Sequence, residues 1–87
     1  MHEFSLMADL LRKIEAIAAE QKSDKVVAVK VKLGALAHIS ASHFTEHFEE
    51  AIRGTVAEGA RLEVEELTDT EDPNAQEILL ESVELAA

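Results

Sequence analysis

The chain has 87 residues, 47% of them apolar, and its only aromatic side chains are three Phe. That length supports one core, and fourteen alanines make it a thin aliphatic one. The absence of cysteine excludes disulfides, thiolate metal sites, iron–sulfur clusters and thiol nucleophiles. The formal charge of −10 is uneven. Residues 1–53 hold 8 acids and 7 bases, whereas residues 54–87 hold 10 acids and a single base, Arg61. Such a balance disfavours phosphate backbones and anionic lipid, and favours cations or a basic partner surface. No apolar run approaches the ~20 residues of a membrane span. The opening Met1–Ser5 lacks the basic n-region of a secretory signal, so a cytoplasmic protein is expected.

Met7, Leu10, Leu11, Ile14, Ile17 and Ala18 recur at spacings of three and four, which predicts an amphipathic helix from Ser5, its cap, to about Gln21. From Lys25 to Leu33 the period changes to two. Val27, Val29, Val31 and Leu33 face one way and Ala28, Lys30 and Lys32 the other, which predicts a strand with one buried face. A second helix is expected over about Ala41–Arg53, capped by Ser40 or Ser42 and stopped at Gly54, with Phe44, Phe48, Ala51 and Ile52 as its apolar stripe. Leu62 and Val64 alternate with charged residues in a strand over Ala60–Leu67. Thr68–Asn74 is turn chemistry with no apolar residue. Ile78–Leu85 is a third strand whose Ile78-Leu79-Leu80 run calls for a bulge or for cover on both faces.

These elements predict an α/β (α+β) fold in which two helices pack on one face of a three-stranded mixed sheet, in the order α-β-α-β-β. The first two strands flank a helix, so a right-handed β-α-β crossover is expected. The last two strands are expected to pair as an antiparallel hairpin around the acidic loop. Leu10, Ile14, Ile17, Val29, Val31, Phe44, Phe48, Leu62 and Val64 are the expected core.

The chemistry-bearing residues are few. His43 and His47 are four apart on the second helix and therefore project side by side. With Glu46 they spell H-x-x-E-H, a pattern of one zinc-peptidase class. Such enzymes need a further ligand and a far larger scaffold, so a half-exposed flanking pair ranks first, an i,i+4 metal clip second and a hydrolase third. The acids of residues 63–84 read as solvated strand faces and edge protection. Glu65, Glu66, Asp69, Glu71 and Asp72 lack the spacing of a calcium loop. At the start, the α-amine of Met1, the backbone nitrogen and imidazole of His2, and Glu3 can form fused chelate rings. A planar set of nitrogen donors suits Ni(II) or Cu(II) rather than tetrahedral Zn(II), but on this chemistry alone an ordinary frayed terminus ranks first.

The opening Met1-His2-Glu3-Phe4-Ser5-Leu6 resembles that of the HypA/HybF nickel-incorporation proteins, maturation factors for [NiFe] hydrogenase and, in some bacteria, urease. So do Lys32-Leu33-Gly34, Phe48-Glu49, the segment Gly54-Thr55-Val56-Ala57-Glu58-Gly59-Ala60-Arg61-Leu62-Glu63-Val64-Glu65, and Glu77–Leu85 as the family's last strand. The resemblance covers nearly the whole chain. It implies a nickel site at Met1, His2 and Glu3 and delivery of Ni(II) to a hydrogenase large-subunit precursor alongside a nickel-handling GTPase. It implies no catalysis. Family members carry a zinc domain with two C-x-x-C pairs between the last two strands, and here residues 68–76 bridge that gap. The expectation is therefore one HypA-like nickel-binding domain over residues 1–87, holding Ni(II) and no stoichiometric zinc. Where the family often has an acidic residue proposed near the nickel, this chain has Ser40, and His38 is the candidate stand-in. An adaptor that docks on the same partners without carrying nickel is the alternative function. A free sheet edge also permits a homodimer.

Overall fold

The computed structural model describes residues 3–86, with side-chain surroundings for residues 7–86. The elements are α1 (Glu3–Glu20), β1 (Val26–Leu33), α2 (Ala41–Ala51), β2 (Arg61–Glu66) and β3 (Ile78–Leu85), the expected order α-β-α-β-β. Helix α1 begins at Glu3, so Ser5 lies inside its first turn rather than at its cap. It ends in a Schellman arrangement: the Ser23 N–H donates to the Ala18 carbonyl at 2.9 Å and the Lys22 N–H to the Ala19 carbonyl at 3.0 Å. Lys22 takes the left-handed conformation this requires, with φ 57°.

The expected hairpin between the last two strands does not form. The sheet order is β2-β1-β3, with β1 parallel to β2 and antiparallel to β3. Composition explains the placement. Strand β1, VVAVKVKL, is the most apolar of the three and takes the centre, where both neighbours cover it. Strand β2, RLEVEE, has charges at four of six positions and suits an edge. Helix α2 is the connection between the parallel pair, as the β-α-β reading anticipated.

Both helices lie on one face of the sheet. The core gathers Met7, Leu10, Ile14 and Ala18 of α1, Val26, Val29, Val31 and Leu33 of β1, Phe44 and Phe48 of α2, and Ile52, Ala57 and Ile78. Phe44 and Phe48 are completely buried and their rings stack at 6.2 Å. Six of the nine expected core residues are buried. Ile17, Leu62 and Val64 are half-buried. The two β2 residues belong to an edge strand, and Ile17 borders a shallow groove of about 440 Å³ between α1 and β3, lined also by Lys13, Ala16, Glu20, Leu79 and Leu80.

Two irregularities of the β1–β3 ladder re-aim side chains. The first lies between Val26 and Ala28, and it puts Val26 rather than Val27 into the core. The second skips Glu81, since Lys30 pairs with Ser82 and Val31 with Leu80. This bulge resolves the Ile78-Leu79-Leu80 run and leaves the Glu81 carboxylate 3.4 Å from the Lys30 ammonium and 3.1 Å from that of Lys32. On the same open face, Ala28 lies in register with Arg61 on one side and Glu84 on the other. Arg61 and Glu84 approach to 3.8 Å across this small residue, which accounts for its burial outside the core.

Because β2 and β3 flank β1, the connection 67–77 must cross over the C-terminal end of β1. It does so at Gly34. A Cβ on Gly34 would fall 2.2 Å from the Ala75 carbonyl oxygen and 2.8 Å from that of Asn74. The crossing is fastened by the Gly34 N–H donating to Glu77 O at 2.9 Å, Leu36 N–H to Ala75 O at 2.7 Å and Leu67 N–H to Leu33 O at 2.8 Å. Two Asx turns shape it, with Asp69 Oδ1 accepting from the Glu71 N–H at 2.9 Å and Asp72 Oδ1 from the Asn74 N–H at 2.7 Å.

Gly34→Ala should destabilise the fold by about 3 kcal/mol or more, because the obstacle is backbone. Gly54→Ala, at a position with φ 77° but open space around it, should cost only about 1–2 kcal/mol. Urea unfolding of the two variants tests the contrast. A second expectation concerns pH. The Lys32 hydrogen bond, helped by Lys30, holds the Glu81 carboxyl below its ordinary value. A depressed carboxyl contributes stability above its unfolded pKa of about 4.3, and that contribution disappears as pH falls through the lower folded value. Lys32 is raised by the same hydrogen bond, so its contribution is present below the ordinary lysine pKa and is lost as pH rises through the raised one. Glu81→Gln should therefore flatten both the acid and the far-alkaline limbs of the stability profile, read as melting temperature against pH.

Candidate functional site

The candidate residues occupy the N-terminus, the β1–α2 loop and α2. Met1 and His2 lie outside the described residues. Glu3 is the first residue of α1, and its side chain is likewise outside them. His38 is exposed in the loop after β1 and has a left-handed backbone, φ 61°. Histidine is among the residues that tolerate this region better than most.

Ser40 is the N-cap of α2. Its backbone is extended, φ −78° and ψ 159°, and its hydroxyl accepts from the His43 N–H at 3.1 Å. The Ser40 side chain is thus already engaged. A second free amide of that helix end is met from the edge of the sheet: the Ala41 N–H donates to the Glu66 carboxylate at 3.2 Å. The first turn of α2 has no acid of its own, so Glu66 supplies the negative charge that a helix start favours. With Asp69 and Asp72 committed to their turns, three of the five acids that lack the spacing of a calcium loop have structural partners. No feature of the sequence alone could have joined Glu66 to Ala41, since the contact depends on how β2 lies beside α2.

The paired histidines meet. His43 Nε2 and His47 Nε2 are 2.9 Å apart, and the ring centroids 4.6 Å, with the planes tilted by 55°. His43 is exposed and His47 half-buried, at the margin of the Phe44/Phe48 stripe. Glu46 is exposed. Among the described residues no group of three or more His, Cys, Asp or Glu side chains is arranged to hold a metal ion. His38 is therefore not gathered with the helix pair into such a group.

The elements form a small α+β domain, and the comparisons with known proteins agree with that fold. The family model for hydrogenase/urease nickel incorporation, metallochaperone, HypA, matches residues 1–71. The hydrogenase maturation factor HypA of Azotobacter chroococcum mcd 1 is 40% identical over 67 residues, 77% of this chain and 59% of that protein. The same factor from Archaeoglobus fulgidus is 36% identical over 64 residues, 74% of this chain and 58% of that protein. The chain belongs to the HypA family, and it spans about 59% of the length of the curated relatives it matches. The solution structure of the Ni metallochaperone HypA from Helicobacter pylori superposes with a TM-score of 0.79 over 100% of this chain and 99% of that one. At 21% identity that likeness establishes a shared fold.

The cap yields an expectation. Ser40→Ala should destabilise the protein by about 1 kcal/mol, whereas Ser40→Asp, also a good N-cap, should cost little or nothing. Chemical denaturation midpoints of the two variants measure the difference.

Proposed function

We propose that this domain carries one Ni(II) ion at its N-terminus and serves as a maturation factor that helps to place nickel in [NiFe] hydrogenase. The observation that carries the reading is the family match, which runs from residue 1 and includes Met1-His2-Glu3 unchanged from the pattern of the resemblance. The ligands in this reading are the Met1 amine, the backbone nitrogen and imidazole of His2, and the Glu3 backbone, with His38 as a further donor.

The start of α1 at Glu3 suits this chemistry. The first four amides of a helix have no intrahelical acceptor, so an amide there can lose its proton to a metal without breaking the ladder. The positive end of the helix dipole would repel a bare dication. Amide nitrogens bound as anions cancel the ion's charge and remove that conflict. Nickel is cargo in this scheme, held by donors that protonation releases. The receiving partners are a hydrogenase large-subunit precursor and a nickel-handling GTPase, met in the cytoplasm, and the domain works as a carrier rather than a catalyst. Among the described residues no helix is long and apolar enough to cross a membrane. The zinc domain of the family is replaced by residues 68–76, so contacts made through that domain lie outside this reading. The adaptor reading keeps the same partners and drops the nickel.

Calorimetric titration of Ni(II) separates the two. Placing a residue before Met1 turns its amine into an amide and should weaken binding as severely as His2→Ala. Affinity should also fall as pH drops through the imidazole pKa near ~6.5, because the donors must be deprotonated. Equal nickel affinity with free and extended N-termini would reject the site and leave the adaptor.

A further inference from the structure

The histidine pair of α2 is not among the donors named for the N-terminal site, and its geometry has a consequence of its own. Two side chains four residues apart on a helix face the same side, but they chelate only if their donor atoms converge. Here they do: the two Nε2 atoms share a hydrogen bond at 2.9 Å, so a metal ion bound by both would take the place of the proton between them. Metal–imidazole bonds of about 2.05 Å meeting at 90° place two nitrogens about 2.9 Å apart, whereas a tetrahedral angle places them about 3.3–3.4 Å apart. The observed separation matches adjacent corners of a square or an octahedron. We propose that His43 and His47 form a second metal site, which takes a divalent cation of planar or tetragonal preference, Cu(II) or Ni(II), through both Nε2 atoms.

Three features support the assignment beyond the separation. The helix is fixed in place by Phe44 and Phe48, each wholly buried and each next in sequence to one of the histidines. The backbone that sets the spacing therefore does not have to be ordered by the metal. The start of the helix is closed by Ser40 on the His43 N–H and by Glu66 on the Ala41 N–H, so the turn that carries His43 is held. The local charge is negative: the helix sequence ASHFTEHFEEA contains Glu46, Glu49 and Glu50 and no Lys or Arg. A cation at the ring pair is drawn in by that field. Imidazole is a suitable donor for both metals, and square-planar or tetragonal sets are characteristic of them. Two protein donors leave the remaining positions to water or to donors from another molecule, which makes this a site for loading and release rather than for permanent retention.

The test uses the whole chain with one residue added before Met1, so that the terminal amine contributes nothing and the outcome is separate from that of the N-terminal reading. Cu(II) and, in parallel, Ni(II) are titrated into this protein, into His43→Ala, into His47→Ala and into the double variant. Isothermal calorimetry gives affinity, and electron paramagnetic resonance of the Cu(II) form counts bound imidazole nitrogens. One ion per chain is expected, with two imidazole nitrogens on copper. Because the second imidazole binds intramolecularly, either single substitution should weaken binding by about a hundredfold, and the double variant should be little worse than either one. Circular dichroism verifies that each variant retains its helices. Single variants that bind as tightly as the parent, or a copper spectrum with one imidazole nitrogen, would overturn the proposal.

Discussion

The crossing of one chain segment over the end of another governs this fold. Strand β1 has neighbours on both sides, and those neighbours are joined to each other by residues 67–77. The joining segment must pass the end of β1 at backbone contact distance, and only a residue without a side chain can lie beneath it. Gly34 is that residue, and the carbonyl of Ala75 occupies the space its Cβ would take. The central position of β1 depends on the crossing being possible, and the core follows from β1. Val26, Val29, Val31 and Leu33 form the floor on which Ile14, Phe44 and Phe48 pack. The helix that bears the paired histidines is anchored through the last two.

Much of this was legible in the residues. The change from period 3.6 to period 2 and back located all five elements within a few positions, and the alternation of β1 found most of its buried face. The pairing of strands was not legible in the same way. Periodicity reports which face of a strand is buried and says nothing of which edge meets which, so sequence neighbours β2 and β3 read as a hairpin. Charge density held the missing signal, since a strand with four charges in six residues belongs at an edge. Val26 replaced Val27 in the core because a ladder irregularity shifts phase by one residue, a feature invisible to a count of alternations. At the site, the four-residue spacing of His43 and His47 predicted that they would be neighbours but not that their Nε2 atoms would meet at 2.9 Å. The Met-His-Glu opening was legible only through its resemblance to a family, and Met1 and His2 lie outside the described residues.

The excess of acids in the C-terminal part is also more than a solvated coat. Glu81 sits between Lys30 and Lys32, Glu84 reaches toward Arg61 over Ala28, Glu66 closes a helix start, and Asp69 and Asp72 fold a turn. The helix-free face of the sheet carries opposite charges on neighbouring strands, with Lys30 and Lys32 also in register with Glu63 and Glu65, rather than a second layer. Individually such exposed pairs contribute little, but across an open sheet they satisfy polar side chains that have no helix to shield them.

The same crossing makes the β2–β3 junction a socket. Leu33 pairs with Glu66 on one side and Ile78 on the other, so the departing and returning chains are separated by two strand spacings, roughly 10 Å. Folded modules commonly have their two ends close together at the surface, and a module of that kind can be seated at this junction without disturbing a ladder bond. Lengthening such a connection costs little, because closure entropy grows only with the logarithm of its length. A long insert and a short acidic bridge are then interchangeable fittings on one sheet, and the helix-and-sheet layer can be inherited separately from whatever is plugged in above Gly34.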